Sequence, residues 1–320
     1  MKHRHKYRDL PKIRDSISFL YFEYGRLEQS KLGVEYVNQQ GRIPLPAAGL
    51  SALLLGPGTT ITHGAVRTLT DVGCSIVWCG QGGVRCYAQG TGETHKAYRL
   101  MRQAELSATP DLRLRVIERL YRMRFADVLP PGLTLEQIRG KEGVRVREAY
   151  AEAARRFGVV WRGRNYDRTS WSDADPLNRA LSSANACLHG LVHAALLSSG
   201  YAPALGFIHQ GKQLSFVYDV ADLYKTKITV PVAFATVAED PPKLETQVRR
   251  RCRDAFTNLR LLQRIVPDVD RLLRLDQEPE HPDGFNPDED PALPTPWWNK
   301  PGGAPSGGAP SGDSPEISLS

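Results

Sequence analysis

The sequence predicts an α+β chain: an N-terminal antiparallel β domain, then an all-α helical catalytic domain, then a disordered C-terminal tail rich in Pro, Gly and acids. Three observations carry this reading. Within a first domain over residues 1–92, apolar side chains alternate from Ser16 to about Ala88 in short runs broken by Gly, Pro and Asn. Over residues 93–275 the apolar period lengthens to about three and a half. Residues 276–320 hold few aliphatic side chains among Pro, Gly, Ser and acids, too little apolar surface to offset the entropy of ordering.

The strand runs are SISFLYFEYG, GVEYV, GRIPLP, GLSALLLGPG, CSIVWCG and VRCYAQG. Between them THGAVRTLTDVG reads as a short helix capped by Thr62 and stopped at Gly73. The GQGG joining SIVWC to VRCYA reads as a hairpin turn, because a phosphate loop is followed by a helix and here a strand follows. In PDLRLRVIERLYRMRF, Leu112, Val116, Leu120 and Met123 form one helical stripe. Arg113, Arg115, Arg119, Arg122 and Arg124 crowd the other positions, as a solvated face or one that tracks phosphates.

The next helix, from about Thr134 to Phe157, turns Leu135, Ile138, Val146, Ala149 and Ala153 inward. Glu142 falls on that stripe, flanked by Gly140 and Gly143. A carboxylate there needs a partner, either a bound cation or Arg145 or Arg147 at a rim. Asp175 and Pro176 give a cap followed by proline at the first helical position, opening an apolar helix that runs to Gly200. It carries His189 and His193 four apart, but HGLVH lacks the glutamate of the HExxH zinc motif, so packing is their expected role.

The stretch GFIHQGKQLSFVYDVADLYK then sets His209 in a Gly-rich turn and places Asp219 and Asp222 three apart on one helix face. Phe216, Tyr218 and Val220 precede them as an aromatic and apolar backing. Two carboxylates so close repel unless a cation or a proton lies between them; the alternative is a helix cap and a satisfied polar histidine. From about Pro231 to Leu275 helix continues, with the basic string RRRCRDAF.

The formal charge is +7 and the pI about 9.2. Residues 276–320 contain nine acids and one lysine, which leaves an excess of fifteen positive charges on residues 1–275. Such an excess points to a polyanionic partner, most simply nucleic acid and less simply a membrane surface. Five cysteines, odd in number and without CxxC spacing, indicate neither a zinc site nor a disulfide framework, and a cytoplasmic protein is expected. The basic start MKHRHKYRDLPK is followed by no apolar segment, and nowhere do 18 apolar residues run uninterrupted, so neither export nor a membrane span is expected.

With Glu142, His209, Asp219 and Asp222 in place, the strings FEYGRLE, LLGPGTTITHGAVR, GGVRCYAQG, QIRGKEGVRVREAY, GYAPALGFIHQGKQLSFVYDVADL and RRRCRDAF resemble the CRISPR-associated integrase and endonuclease, protein one of the CRISPR adaptation machinery, in its type I-E subtype. The resemblance covers about residues 10–275. It implies metal-dependent joining of the 3′-hydroxyl ends of foreign DNA fragments (protospacers) into the CRISPR repeat array by transesterification, with an associated endonuclease activity. It implies Glu142, His209 and Asp222 as ligands of Mg2+ or Mn2+, with Asp219 a further acid orienting the site. A divalent ion suits this chemistry because it neutralises developing charge and lowers the pKa of the attacking hydroxyl; the imidazole shifts preference toward manganese.

On the DNA side, Lys212 and Tyr218, between and beside the implied ligands, are candidates for holding a strand, and Tyr24 is a candidate for stacking on a duplex end or, equally, a core tyrosine at a strand edge. Arg67, Arg85, Arg249 and Arg250 are candidates for phosphates. His189 stands where relatives of the subtype often carry tyrosine. The implied partners are double-stranded DNA, a second copy in a homodimer, and the small CRISPR-associated protein two, together a hetero-hexameric complex. Phe285, Leu293, Trp297 and Trp298, in a Pro-rich frame, suit a segment that docks on that small partner.

Overall fold

The computed structural model describes residues 19–275, apart from residues 32, 48–49, 84, 93–96, 126–128 and 164–174. The C-terminal tail, with the disorder and the aromatic anchors expected of it, lies outside the described residues.

Strands come first and helices follow, as the change of period requires. The strands are β1 (Phe19–Phe22), β2 (Arg26–Ser30), β3 (Gly33–Asn38), β4 (Gly41–Leu45), β5 (Ala52–Leu55), β6 (Thr60–Ile61), β7 (Ser75–Cys79) and β8 (Cys86–Gly90). They form two four-stranded sheets, ordered β1-β5-β7-β8 and β4-β3-β2-β6. Antiparallel pairing holds for β2 with β3, β3 with β4, and β7 with β8, while β1 with β5, β5 with β7, and β2 with β6 are parallel. The sheets are therefore mixed, where alternation alone had given antiparallel ones. In β5 all four residues of ALLL are buried, as suits a central strand covered on both faces, and it lies between the parallel strands β1 and β7. Leu53 and Leu55 face the core under helix α1 (His63–Asp71), and Ala52 and Leu54 face Ala194 of a later helix.

The local signals act as expected. Thr62 caps α1 by accepting from the Ala65 amide, and Gly73 follows it at φ 71°. The GQGG segment lies in the turn between antiparallel β7 and β8. In EYG, the Tyr36 ring lies so close over Gly25 that a Cβ there would strike it.

The helical part contains α2 (Tyr98–Ala108), α3 (Pro110–Phe125), α4 (Leu135–Phe157), α5 (Pro176–Ser198), α6 (Ser215–Tyr224), α7 (Val230–Ala238), α8 (Leu244–Asn258) and α9 (Leu261–Leu273). A π turn, Lys225–Thr229, joins α6 to α7. Helix α5 is buried nearly all round and packs against α6, α7, α8, α9 and β7. Its length and apolarity would suffice to cross a membrane, but two-thirds of the relevant window is buried inside the protein, as befits a central helix. Helix α4 begins with a full capping box between Thr134 and Gln137 and ends at Gly158 with φ 67°.

Candidate active site

Three helices and one loop meet where the sequence placed its carboxylates: α3, α4, α6 and the turn at 206–209. The turn is held from both sides. Asp219, fully buried on α6, accepts the amides of Phe207 at 2.5 Å, Ile208 at 3.1 Å and His209 at 3.0 Å. The Phe207 carbonyl accepts from Arg113 of α3 at 2.8 Å, and the Ile208 carbonyl from Arg139 of α4 at 2.9 Å. Gly206 is obligatory, because a Cβ would collide with the His209 carbonyl oxygen and with Ser215. A buried carboxylate is tolerable only with such a set of donors, and these charge-assisted bonds fix the turn.

Asp219 also meets the His209 ring, Oδ1 to Nδ1 at 2.7 Å. A carboxylate without a proton can only accept, so Nδ1 carries the hydrogen, and in the neutral ring Nε2 is the electron-pair donor. The bond to Asp219 raises the His209 pKa above its ordinary value; burial opposes this, and the charges of Asp219 and Asp222 add to the rise. In proteins where a histidine ligates a metal, a carboxylate on the other ring nitrogen fixes the imidazole in this way.

The other two carboxylates share one cation. Arg124, only 7% exposed near the end of α3, reaches Glu142 of α4 through Nη1, and the same nitrogen lies 3.6 Å from Asp222 Oδ2. Lys225 takes the other oxygen, Asp222 Oδ1, at 2.6 Å. Burial by itself would raise the Asp222 pKa, but Lys225 and Arg124 outweigh it and hold the carboxyl below the usual range. Arg124, Glu142, Ile208, Asp219 and Asp222 line a common pocket.

Among the described residues no three His, Cys, Asp or Glu side chains stand close enough together to cage a metal ion. The donor set nevertheless suits one. Two carboxylates from different helices meet at one guanidinium nitrogen, a stand-in cation, and His209 lies near enough to Asp222 for that charge to act on its imidazole.

Comparison with known proteins shows the family. The family model described as CRISPR associated protein Cas1 matches residues 123–246, a span that contains Arg124, Glu142, His209, Asp219 and Asp222. The chain is 52% identical over 295 residues to the CRISPR-associated endonuclease Cas1 2 of Thermus thermophilus, covering 92% of this chain and 90% of that protein. It is 47% identical to the CRISPR-associated endonuclease Cas1 of Geobacter sulfurreducens, over 82% of this chain and 86% of that one. The chain belongs to the Cas1 family. Among solved structures, the TtCas1–DNA complex superimposes with a TM-score of 0.77 at 54% identity, over 83% of this chain and 99% of that one.

The residues expected to contact DNA lie on several elements of this Cas1-family fold. Tyr24, between β1 and β2, is 68% exposed and holds φ at 55°, a conformation that costs about 1–3 kcal/mol in a non-glycine residue. Arg67 on α1 is exposed and lies 3.9 Å from Asp71. Arg85, Lys212, Arg249 and Arg250 are exposed. Arg85 lies in the β7–β8 turn, and Arg249 and Arg253 lie on α8. Arg253 also holds the turn through Gln81 at 3.0 Å. Tyr218 is the candidate that meets His209, its ring edge-on to that imidazole at 5.7 Å and to His189 at 5.0 Å.

The α3 arginines divide in a way the sequence did not announce. Arg115 and Arg122 are exposed, but Arg113 and Arg119 bind the carbonyls of Phe207 and Leu272, and Arg124 is buried on the pocket. Glu142 pairs with Arg124 and not with Arg145, which pairs with Glu148. A signal for Arg124 existed: it continues the spacing of Val116 and Leu120 by four, and all three are buried.

Proposed function

We propose that this chain is a metal-dependent DNA integrase of CRISPR adaptation, of the type I-E subtype, which joins the 3′-hydroxyl ends of protospacers into the repeat array and also cleaves DNA. The observation that carries the reading is the pocket in which Glu142 and Asp222 converge on one cation beside a histidine oriented by Asp219. Glu142, His209 Nε2 and Asp222 would hold Mg2+ or Mn2+, which supplies charge neutralisation and activation of the attacking oxygen. Asp219 keeps the turn and the imidazole in place, Tyr218 borders the ligands, and the arginines at Arg85, Arg249 and Arg250 hold the duplex by its phosphates. The TtCas1 relative is described in complex with DNA, which supports the DNA reading.

The test supplies a duplex with free 3′ ends, a supercoiled plasmid bearing repeats, and Mg2+ or Mn2+. Covalently joined products, lost on chelation, are expected. Cleaved products without joining would leave a nuclease in which water takes the place of the 3′-hydroxyl.

Phosphate contacts release counterions without reading bases. Alanine at Arg85, Arg249 or Arg250 is therefore expected to weaken duplex binding across sequences and to lower the salt slope by about one each, with the fold retained. Titration of a labelled duplex at several salt concentrations checks this, and an unchanged slope in all three places the DNA path elsewhere.

The assembly we infer is a homodimer joined by CRISPR-associated protein two into a hetero-hexamer in the cytoplasm. Truncation after Leu275 is expected to leave a folded, DNA-binding protein that no longer forms the hetero-complex, whereas truncation after Lys300 leaves assembly intact. Sizing of mixtures with the purified partner decides it; equal assembly by both truncations removes the tail from the interface.

A further inference from the structure

We propose that Arg124 is a built-in counter-cation that holds Glu142 and Asp222 together in the metal-free protein and must leave them before a divalent ion can bind. The inference rests on the metal-site reading and adds to it a competition for the same oxygens. One Arg124 nitrogen contacts carboxylates from two different helices, Glu142 on α4 and Asp222 on α6. A divalent ion that bridges those carboxylates needs the point this nitrogen occupies, and two cations cannot share it. Lys225 is placed differently: it binds only the far oxygen of Asp222, at 2.6 Å, and can remain there when the ion arrives.

Two further features show a side chain suited to leaving. Arg124 is buried, yet its Nε has no hydrogen-bond partner among the described residues, so its donors are incompletely used. Its guanidinium lies 4.9 Å from the ring of Phe125 and so already rests on an aromatic surface. With Arg124 in place, α3, α4 and α6 are tied together without an ion; when the ion binds, it takes over the tie between α4 and α6.

The experiment measures Mn2+ affinity of the full, DNA-free chain from the electron paramagnetic resonance of free Mn2+, for wild type, E142Q, R124M and K225M, with melting temperatures with and without Mn2+. R124M is expected to bind Mn2+ about tenfold more tightly than wild type. It is expected to melt lower than wild type without metal and to gain more on Mn2+ addition. K225M, which removes an equal charge from the same carboxylate, is expected to gain less than R124M. Affinity in R124M equal to or below wild type, or no greater than in K225M, overturns the competition while leaving the metal site standing, provided that E142Q binds less than wild type. Lack of Mn2+ binding in both wild type and R124M overturns the metal-site reading and the competition with it. Should R124M fail to fold, wild-type protein labelled with 15N-arginine carries the test: the Arg124 Nε–H resonance is expected to shift and to exchange faster as Mg2+ is added. A resonance that stays fixed while Mg2+ binds overturns the proposal.

Discussion

Alanine at Glu142, His209 or Asp222 is expected to reduce strand joining by at least about a thousandfold while duplex affinity stays within about threefold. The three side chains come from α4, the 206–209 turn and α6, so each variant would remove one donor of the proposed ion from a different element. Binding is spared for a separate reason. Carboxylates repel phosphates, and the cations that attract them, among them Arg85, Arg249 and Arg250, lie exposed on other elements. Parallel measurement of joined product and of duplex Kd for each variant checks the division. Equal loss of both would mean that these residues hold DNA or the fold, and not the reacting centre.

Asp219→Ala should have the broadest effect, because it acts on the fold and the site together. Three amides, of Phe207, Ile208 and His209, lose their acceptor, and the imidazole loses its partner. A buried donor left unmade costs about 1–3 kcal/mol, partly recovered by water at this half-exposed turn, so a loss on the order of 3 kcal/mol and roughly 10 °C in Tm is expected. Joining should fall further than stability explains, since loss of a residue that orients a ligand costs about 10–100-fold in metal affinity or activity. Asp219→Asn separates the two roles. It keeps an acceptor for some of the amides, so Tm recovers in part, but its neutral side chain supports His209 poorly and joining stays low. Full recovery of joining in Asp219→Asn would reduce Asp219 to a structural anchor.

What the sequence could and could not disclose follows from the range over which each signal acts. The Thr134 cap, Gly158, Pro176 and the change of apolar period are local, and the helices they mark stand where these residues place them. Glu142 was legible because a carboxylate on an apolar stripe is a contradiction that something must resolve. Its resolution was not legible, since Arg124 is 18 residues away on another helix and its spacing from Val116 and Leu120 was masked by four other arginines. Asp219 and Asp222 looked alike at a separation of three, and only the fold separates them: one spends its oxygens on the backbone of a turn, the other on cations. The parallel strand pairs were hidden for a similar reason, because alternation reports which face is buried and says nothing of a partner's direction.

The most direct measurement is an anomalous difference map, at the manganese edge, from crystals of the full chain grown with Mn2+. The expected result is a peak coordinated by an oxygen of Glu142, an oxygen of Asp222 and Nε2 of His209, with Arg124 turned away from both carboxylates and Asp219 still bound to the amides of residues 207–209. A peak coordinated by Asp219, a peak elsewhere, or no peak at saturating Mn2+ with Arg124 still between Glu142 and Asp222, would contradict the account.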